Sequence, residues 1–138
     1  MQLTAELHAA YRDADYVALS APPVTLRIDQ TCAALDLLLA RSGKRAAAFI
    51  SAWNPHGQAQ QQEQNDRAHR ALRDDLRQRG CTVIDGEGRG RSGEWPPERS
   101  VLAIGIDQAS AEQVGRQFRQ NAIVIHELGS VSRLVVLV

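Results

Sequence analysis

The sequence predicts a single α+β domain, in which residues 1–138 form a mixed β-sheet of about five to seven strands with three or four packed helices. Three observations lead to this fold class. The length of 138 residues fits one ordinary domain. Helical and strand-like hydrophobic periods alternate along the whole chain. Hairpin-like pairs of strands occur between the helices, which favours a mixed sheet over a doubly wound parallel one.

The first part of the chain predicts a helix, a hairpin and a second helix. Apolar residues recur at helical spacing over 4–14, which predicts an amphipathic helix. The apolar segment 16–19 predicts a short strand, and alternating apolar and polar residues over 24–28 predict its hairpin partner. Residues 32–41 are apolar nearly all round and precede Gly43, which suits the left-handed end of a helix. We therefore expect this second helix to be well buried.

The middle of the chain predicts a central strand, the longest helix and a loop. Residues 45–53 form a continuous apolar run of strand length, typical of a strand buried on both faces. Residues 58–78 are rich in helix formers and are followed by the helix-ending Gly80. The segment 81–84 predicts a short strand, and residues 85–97 predict a surface loop rich in glycine, arginine and proline. Long loops often carry function.

The last part of the chain predicts a buried strand, a helix and a closing pair of strands. The strand spans 101–106, and the apolar residues of a helix over 110–121 share one face. Residues 122–125 and 131–138 predict two strands around a short turn. Because the final strand is apolar on both faces, helices and neighbouring strands or a second subunit must cover it. The second solution is a homodimer formed through the C-terminal strand.

Composition and charge exclude several classes of protein. A content of 43% hydrophobic and 23% charged residues is typical of a globular protein. Sixteen basic and sixteen acidic residues cancel, so the chain lacks the positive field of most nucleic-acid binders. Cys32 and Cys81 stand apart in the sequence and are expected to be reduced core thiols. Without an apolar signal-peptide core or a membrane-length apolar run, we expect a soluble bacterial protein of the cytoplasm with no membrane partner.

The predicted loop contains a motif that resembles two known binding sequences and fits neither well. Gly88 to Gly93 spells the G-x-G-x-x-G pattern of dinucleotide-binding sites. A pyrophosphate needs a helix that begins in this loop, and Pro96-Pro97 prevents one. An alternative is RNA or single-stranded nucleic-acid binding through arginines of the loop and the long helix, although interspersed acids favour a solvated surface. These arginines are Arg70, Arg73, Arg77, Arg89 and Arg91.

The sequence shows no established catalytic or metal-binding motif. The four histidines have no spacing typical of metal ligands. No serine lies in a nucleophile elbow, and neither cysteine has a histidine nearby in the sequence. His126 and Glu127 are adjacent on a predicted strand, so their side chains point to opposite faces and cannot simply cooperate. We therefore expect no metal and no cofactor.

One junction in the chain combines aromatic and amide side chains. Residues 53–57, Trp-Asn-Pro-His-Gly, lie where the central strand ends and the long helix begins. Such a junction exposes backbone N–H groups and a positive helix end to a ligand. Gln58, Gln61 and Asn65 lie on or beside the core-facing stripe of this helix, where an unpaired amide costs about 1–3 kcal/mol. These amides either bond the backbone of the junction or line a polar pocket with Trp53 as its flat wall.

Several of these residues belong to a wider pattern. The pattern comprises Tyr11, Tyr16, segment 51–55, Asn65, the glycine loop, Trp95, Glu98, Ser100 and segment 118–122. It resembles the signature of Domain of Unknown Function 3293, a family of small bacterial proteins without an assigned activity. Two positions depart from the expected pattern, with Ser51 in place of threonine and Arg119 in place of glycine.

The resemblance implies that seven residues belong to one site. They are Trp53, Asn54, Asn65, Trp95, Glu98, Gln120 and Asn121. Aromatic rings and amides recognise planar polar ligands by stacking and hydrogen bonding, so we expect a binding module for a small polar or nucleotide-like molecule or for a protein partner. The alternative is an enzyme, a hydrolase or transferase, that uses Glu98 as acid or base. A single carboxylate without a partner base, nucleophile or metal favours binding over catalysis.

Overall fold

The computed structural model of the chain describes residues 2–91 and 96–138. Over these residues it confirms the α+β fold class, with four α-helices and a seven-stranded sheet. The helices are α1 (Ala5–Asp13), α2 (Ala33–Ser42), α3 (Gln62–Gln78) and α4 (Gln108–Gln117). The strands are β1 (Asp15–Ala18), β2 (Val24–Leu26), β3 (Ala46–Ser51), β4 (Thr82–Arg89), β5 (Glu98–Ile104), β6 (Ala122–Glu127) and β7 (Arg133–Val136).

The sheet has the strand order β2-β1-β4-β5-β3-β6-β7, and its ladders are antiparallel rather than mixed. The helical connections join strands that are not neighbours in the sheet, so they produce no parallel ladder. An isolated parallel bridge joins Ile28, just after β2, to Ser132, just before β7. The Asp29 amide also donates to the Ser132 carbonyl oxygen at 2.7 Å. The two edges of the sheet therefore meet, which curls it into a concave and a convex face.

Each face of the curled sheet has its own apolar core, because successive strand residues point to opposite sides. The convex core joins α3 and α4 to residues such as Ile50, Val101 and Ile125. The concave core joins Leu35 and Leu39 of α2 to a second set of strand residues. That set is Tyr16, Ala18, Val24, Leu26, Ala47, Phe49, Leu102, Ile104 and Val124.

Strand β4 extends to Arg89, so the prediction that a loop begins at residue 85 is wrong. The physical reason is the position of two glycines on the concave face. A Cβ on Gly86 would lie 3.0 Å from the Phe49 ring, and one on Gly88 would lie 3.9 Å from the Tyr16 ring. Glycine within a strand often marks such close approach rather than a turn. Residues 92–95 of the predicted loop lie outside the described residues.

Helix α3 begins four residues later than predicted, at Gln62. The Gln64 side chain accepts a hydrogen bond from the Gln61 amide at 3.3 Å, as part of a capping box that fixes this start. Residues 55–57 form a single 3₁₀ turn instead of leading directly into the helix. None of the helices in the described ranges is long and apolar enough to cross a membrane.

Candidate functional site

A row of three residues across the sheet forms one end of the concave face. Tyr16 of β1 pairs with Gly88 of β4, which in turn pairs with Glu98 of β5. Strand alternation places all three on the concave side. Since Gly88 has no side chain, the Tyr16 ring lies over it. The register of the sheet thus brings a tyrosine and a carboxylate to the same end of the concave face.

A cavity of about 290 Å³ lies at this end of the sheet. Its volume is near the lower end of the roughly 300–1,000 Å³ typical of small-molecule sites. Leu7, Ala10 and Tyr11 of α1 line it, and none of the α1 residues is buried. The amphipathic pattern predicted for this helix therefore corresponds to a face turned towards the cavity, not to one packed in the core.

Asn65 of α3 holds the turn that follows β3. The Asn54 amide donates to Asn65 Oδ1 at 3.0 Å, and Asn65 Nδ2 donates to Asn54 Oδ1 at 2.9 Å. Gln60 Nε2 also donates to Asn65 Oδ1, at 2.7 Å. Asn65 is 3% exposed and does not itself line the cavity, whereas Asn54 does. Of the two roles predicted for the helix amides, Asn65 therefore has the first, because it bonds the turn and fixes Asn54.

Two turns at the cavity are joined through backbone in an uncommon conformation. Asn54, His56 and Arg119 have φ angles of 45°, 55° and 57°, in the left-handed region that favours glycine. The His56 amide donates to the Arg119 carbonyl oxygen at 2.8 Å, and Gln120 Nε2 donates to the Trp53 carbonyl oxygen at 3.3 Å. The glycine expected at position 119 from the resemblance would suit this conformation. Backbone of this kind is often found at functional sites.

The serine hydroxyls of the cavity wall are engaged with backbone groups. Ser51 Oγ accepts from the Trp53 amide and donates to the Arg99 carbonyl oxygen, both at 2.9 Å. Ser100 Oγ donates to the Glu98 carbonyl oxygen at 3.2 Å. A threonine at position 51 would supply the same hydroxyl, so the departure from the family pattern keeps this function.

Two other buried polar atoms of the cavity wall have no hydrogen-bond partner among the described residues. They are Asn121 Oδ1 and His56 Nδ1. Asn121 Nδ2 donates to the Tyr11 hydroxyl at 3.4 Å, and the residue is 3% exposed. A buried polar atom without a partner costs about 1–3 kcal/mol, so each one requires an explanation. A third such atom, His69 Nδ1, is not part of the cavity wall.

Three ionisable groups of the cavity wall have raised pKa values, namely those of Glu98, Tyr11 and Tyr16. Burial raises the pKa of Glu98 above its ordinary value, and a hydrogen bond from Asn54 only partly opposes this effect. The pKa of Tyr11 is raised by burial and by the charge of Glu98, against a hydrogen bond from Asn121. Burial, followed by the charges of Tyr11 and Glu98, also raises the pKa of Tyr16. Both phenols therefore stay protonated near pH 7. Of these three groups, Glu98 is the one whose charge can change below neutral pH.

The structure brings five of the seven residues singled out by the sequence into the wall of one cavity. These are Trp53, Asn54, Glu98, Gln120 and Asn121. Asn65 supports Asn54 from behind, and Trp95 lies outside the described residues. Six further polar or aromatic wall residues were not among these seven, namely Tyr11, Tyr16, Phe49, Ser51, His56 and Ser100. The sequence could have indicated Ser51 and Ser100 as members of the site, because each is a polar residue at the end of an otherwise apolar strand.

A second polar cluster lies at the opposite end of the concave face. The His126 ring forms hydrogen bonds with two side chains, with Nε2 at 2.7 Å from Asp36 Oδ1 and Nδ1 at 2.9 Å from Ser132 Oγ. Although partial burial raises it, hydrogen bonds from His126 and the Gly129 amide hold the pKa of Asp36 below its ordinary value. His126 and Ser132 are both 0% exposed. The hydrogen bonds of this cluster join α2 to the β6–β7 hairpin. The cluster is not a hydrolytic triad, because no substrate reaches the buried Ser132 hydroxyl.

The cavity offers hydrogen bonding, apolar contact and proton exchange at one carboxyl group. Within residues 2–91 and 96–138, no group of three or more His, Cys, Asp or Glu side chains is arranged to hold a metal ion. Cys32 and Cys81 are both buried and free, and neither lines the cavity.

The family of the chain follows from comparison with known proteins. The fold and cavity define an antiparallel α+β protein with a mostly apolar cavity that includes several polar side chains. A family model described as protein of unknown function (DUF3293) matches residues 50–123, more than half of the chain. The chain belongs to this family, which confirms the resemblance. The matched segment includes the five predicted wall residues, whereas Tyr11 and Tyr16 precede it. No curated protein and no solved structure matches the chain.

Proposed function

We propose that this protein binds a small polar molecule in the cavity between α1, the amino-terminal end of β5 and the turns that follow β3 and α4. The observation that carries the proposal is the cavity of about 290 Å³, whose wall has buried polar atoms without partners in the described part of the chain. A purely structural core normally pairs such atoms. Ligand sites combine an apolar lining with a few placed polar groups, and this cavity has both.

The shape of the site supports a small molecule more than a protein partner. Protein interfaces bury about 800 Å² on each side and are broad surfaces. Here the polar atoms lie inside a concavity, with Asn121 at 3% exposure, beyond the reach of a flat partner surface. Asn121 and Glu98 line the same cavity as Leu7 and Ala10 of α1, so one small molecule can contact both polar residues and the apolar face of α1.

Native mass spectrometry of the protein, incubated with a small-molecule extract of the expression host, tests the proposal. The variant Ala10→Phe places a large side chain in the cavity from α1, a helix with no buried residue. Ala9→Phe adds the same side chain to the same helix at an exposed position that does not line the cavity. We expect the wild type and Ala9→Phe to retain a small molecule that Ala10→Phe loses. Equal retention by all three, or none by the wild type, would contradict the proposal.

A second candidate function, acid–base catalysis by Glu98, is favoured by one observation. Glu98 lies in the cavity wall, and burial raises its pKa, as is common for general acids and bases. A screen with acyl, glycosyl and phosphoryl ester substrates tests this candidate. Turnover by the wild type that Glu98→Gln abolishes, with the fold intact by circular dichroism, would support catalysis. Turnover that survives this variant would rule out Glu98 as the acid or base.

Nucleic-acid binding stays a prediction, and the ion pairs formed by several of the arginines argue against it. Arg89 contacts Glu87 at 2.5 Å, Arg91 contacts Asp15 at 3.3 Å, and Arg73 pairs with Asp85. Arginines already paired with carboxylates make a weak phosphate surface. Binding of a single-stranded RNA oligonucleotide that weakens steeply with added salt would favour this function, and a flat salt profile would exclude it.

The homodimer through the C-terminal strand also stays a prediction. Leu134 packs against the concave core, and Val135 and Leu137 pack against the convex core. The chain's own elements thus cover part of this strand, while Val136 is 36% exposed. Sedimentation at two protein concentrations decides the matter, since a mass that stays monomeric at both would refute the dimer.

A further inference from the structure

Apart from the titratable His56, the ionisable groups of the cavity wall that are charged at neutral pH have one sign among the described residues. Glu98 is an acid, and the described residues that line the cavity include no lysine and no arginine. The arginines that flank the lining residue Gly90 pair with acids instead, Arg89 with Glu87 and Arg91 with Asp15. The carboxylate of Glu98 is therefore desolvated without a neutralising cation from the described part of the chain.

The polar atoms left open in the cavity include two acceptors of hydrogen bonds. One is the Glu98 carboxylate, which receives a hydrogen bond from Asn54 and can accept further ones, and the other is Asn121 Oδ1, which is buried without a partner among the described residues. The serine hydroxyls and the Gln120 amide already donate to backbone carbonyl oxygens. A bound molecule that satisfies the wall must therefore bring N–H or O–H donors to Glu98 and Asn121.

We propose that the ligand of this site is a small organic cation, a protonated amine carried on a compact apolar body. The inference rests on the proposed binding function and names the ligand class. An ammonium group supplies three donors and a positive charge, which match the carboxylate and the open amide oxygen. The apolar body contacts Leu7, Ala10 and Phe49, which line the same cavity.

Anionic ligands fit the same wall poorly. A phosphate or carboxylate group would face the Glu98 carboxylate without an arginine or lysine of the described lining to compensate. Among the ligands expected from the sequence, the charge of the cavity therefore favours a polar cation over a nucleotide. Burial raises the pKa of Glu98, and a bound cation would oppose this shift by stabilising the charged form.

A series of three probes of similar size and shape tests the ligand class by NMR titration. The probes are phenethylamine, phenethyl alcohol and 3-phenylpropionate, which present a cation, a neutral group and an anion at neutral pH. Their dissociation constants are measured from the shifts of the Gly57 and Gly88 amides and the Asn121 side-chain amide, which report on the cavity wall. We expect the amine to bind at least about 10-fold more tightly than the alcohol, and the acid to bind more weakly still.

Two variants assign the preference to Glu98. Glu98→Gln keeps the shape and removes the charge, so the amine should lose its advantage over the alcohol. Glu127→Gln makes the same change at an exposed residue on the opposite end of the sheet and should keep the advantage. An advantage that survives Glu98→Gln would overturn the role of this residue.

The outcomes separate the ligand class from the binding function. If the alcohol or the acid binds the cavity as tightly as the amine, the cation proposal is wrong and the binding function stands. If no probe shifts the cavity resonances, the cation proposal is also wrong, and native mass spectrometry with the host extract decides the binding function independently.

Discussion

The two ends of the concave face treat buried polar groups in opposite ways. At the α2 end, Asp36 and Ser132 each form a hydrogen bond with the buried His126. At the α1 end, a cavity remains, and Asn121 Oδ1 has no partner among the described residues. Both ends belong to the same strands, so the difference is not one of fold. Paired groups at one end stabilise the structure, and we propose that the open groups at the other end take part in binding a ligand.

Loss of the paired cluster should give the largest loss of stability. His126→Ala leaves Asp36 and Ser132 without their common partner and creates a cavity in the core, which we expect to lower the free energy of unfolding by about 2–4 kcal/mol. Urea denaturation measures this change. If the free energy of unfolding fell by less than about 0.5 kcal/mol, the cluster would have no structural role. The two ends of the concave face would then not differ in the way described.

The support behind the cavity should be the next most sensitive position. Asn65→Ala removes three hydrogen bonds to the turn after β3, including both links to Asn54. We expect a loss of about 1–3 kcal/mol in urea denaturation, because the Asn54 amide loses its partner and Asn54 Oδ1 keeps only the hydrogen bond from the Gln60 amide. Binding at the cavity should weaken too, whereas Ser110→Ala, an exchange on the separate helix α4, should leave binding unchanged. Asn65→Ala with full stability and full binding would contradict the role assigned to Asn65.

A pair of matched variants compares paired and open groups directly. Ser132→Ala removes the partner of His126 Nδ1 and should cost about 1–2 kcal/mol. Asn121→Leu replaces a side chain whose Oδ1 is already unpartnered, so the unfolding free energy should change by about 0.5 kcal/mol or less. Thermal and urea unfolding of both variants provide the measurement. The reverse order of losses would mean that Asn121 is structural.

A small effect on stability is also expected at Glu98, and its sign follows from the raised pKa of this residue. The folded protein holds the Glu98 proton to a higher pH than the unfolded chain does, so stability falls as pH rises from about 4.5 through the folded-state pKa. The charged form therefore destabilises the fold at pH 7. Glu98→Gln should be a few tenths to about 1 kcal/mol more stable than the wild type at pH 7. This difference should vanish near pH 4, and a difference that grows on acidification would contradict the shift.

Much of the fold was predictable because its signals are local. Hydrophobic periodicity and turn residues placed the helices and most strands close to their observed positions. The end of β4 was not predictable in this way, since Gly86 and Gly88 serve the packing of Phe49 and Tyr16 from other strands. The strand order also depends on which strands the helical connections skip, which no local pattern encodes.

The site was predictable only in part for a related reason. The amides and tryptophan of the junction were recognisable in the sequence, and the resemblance added Glu98, Gln120 and Asn121. Tyr16 joins them only through the register that sets it beside Gly88 and Glu98. The cluster of His126 was missed because its partners, Asp36 and Ser132, come from distant parts of the chain.

We expect small molecules to bind at the α1 end of the concave face, where the cavity lies, and not at the α2 end, where His126 is paired. Protein-observed NMR with a fragment library that contains amines, neutral molecules and acids tests this expectation most directly. Fragments that bind should shift the resonances of Gly57, Gly88 and the Asn121 side chain. The resonances of Gly129 and Ser132 should remain unchanged. Shifts centred on Gly129 and Ser132, or scattered over the surface without the cavity residues, would contradict it.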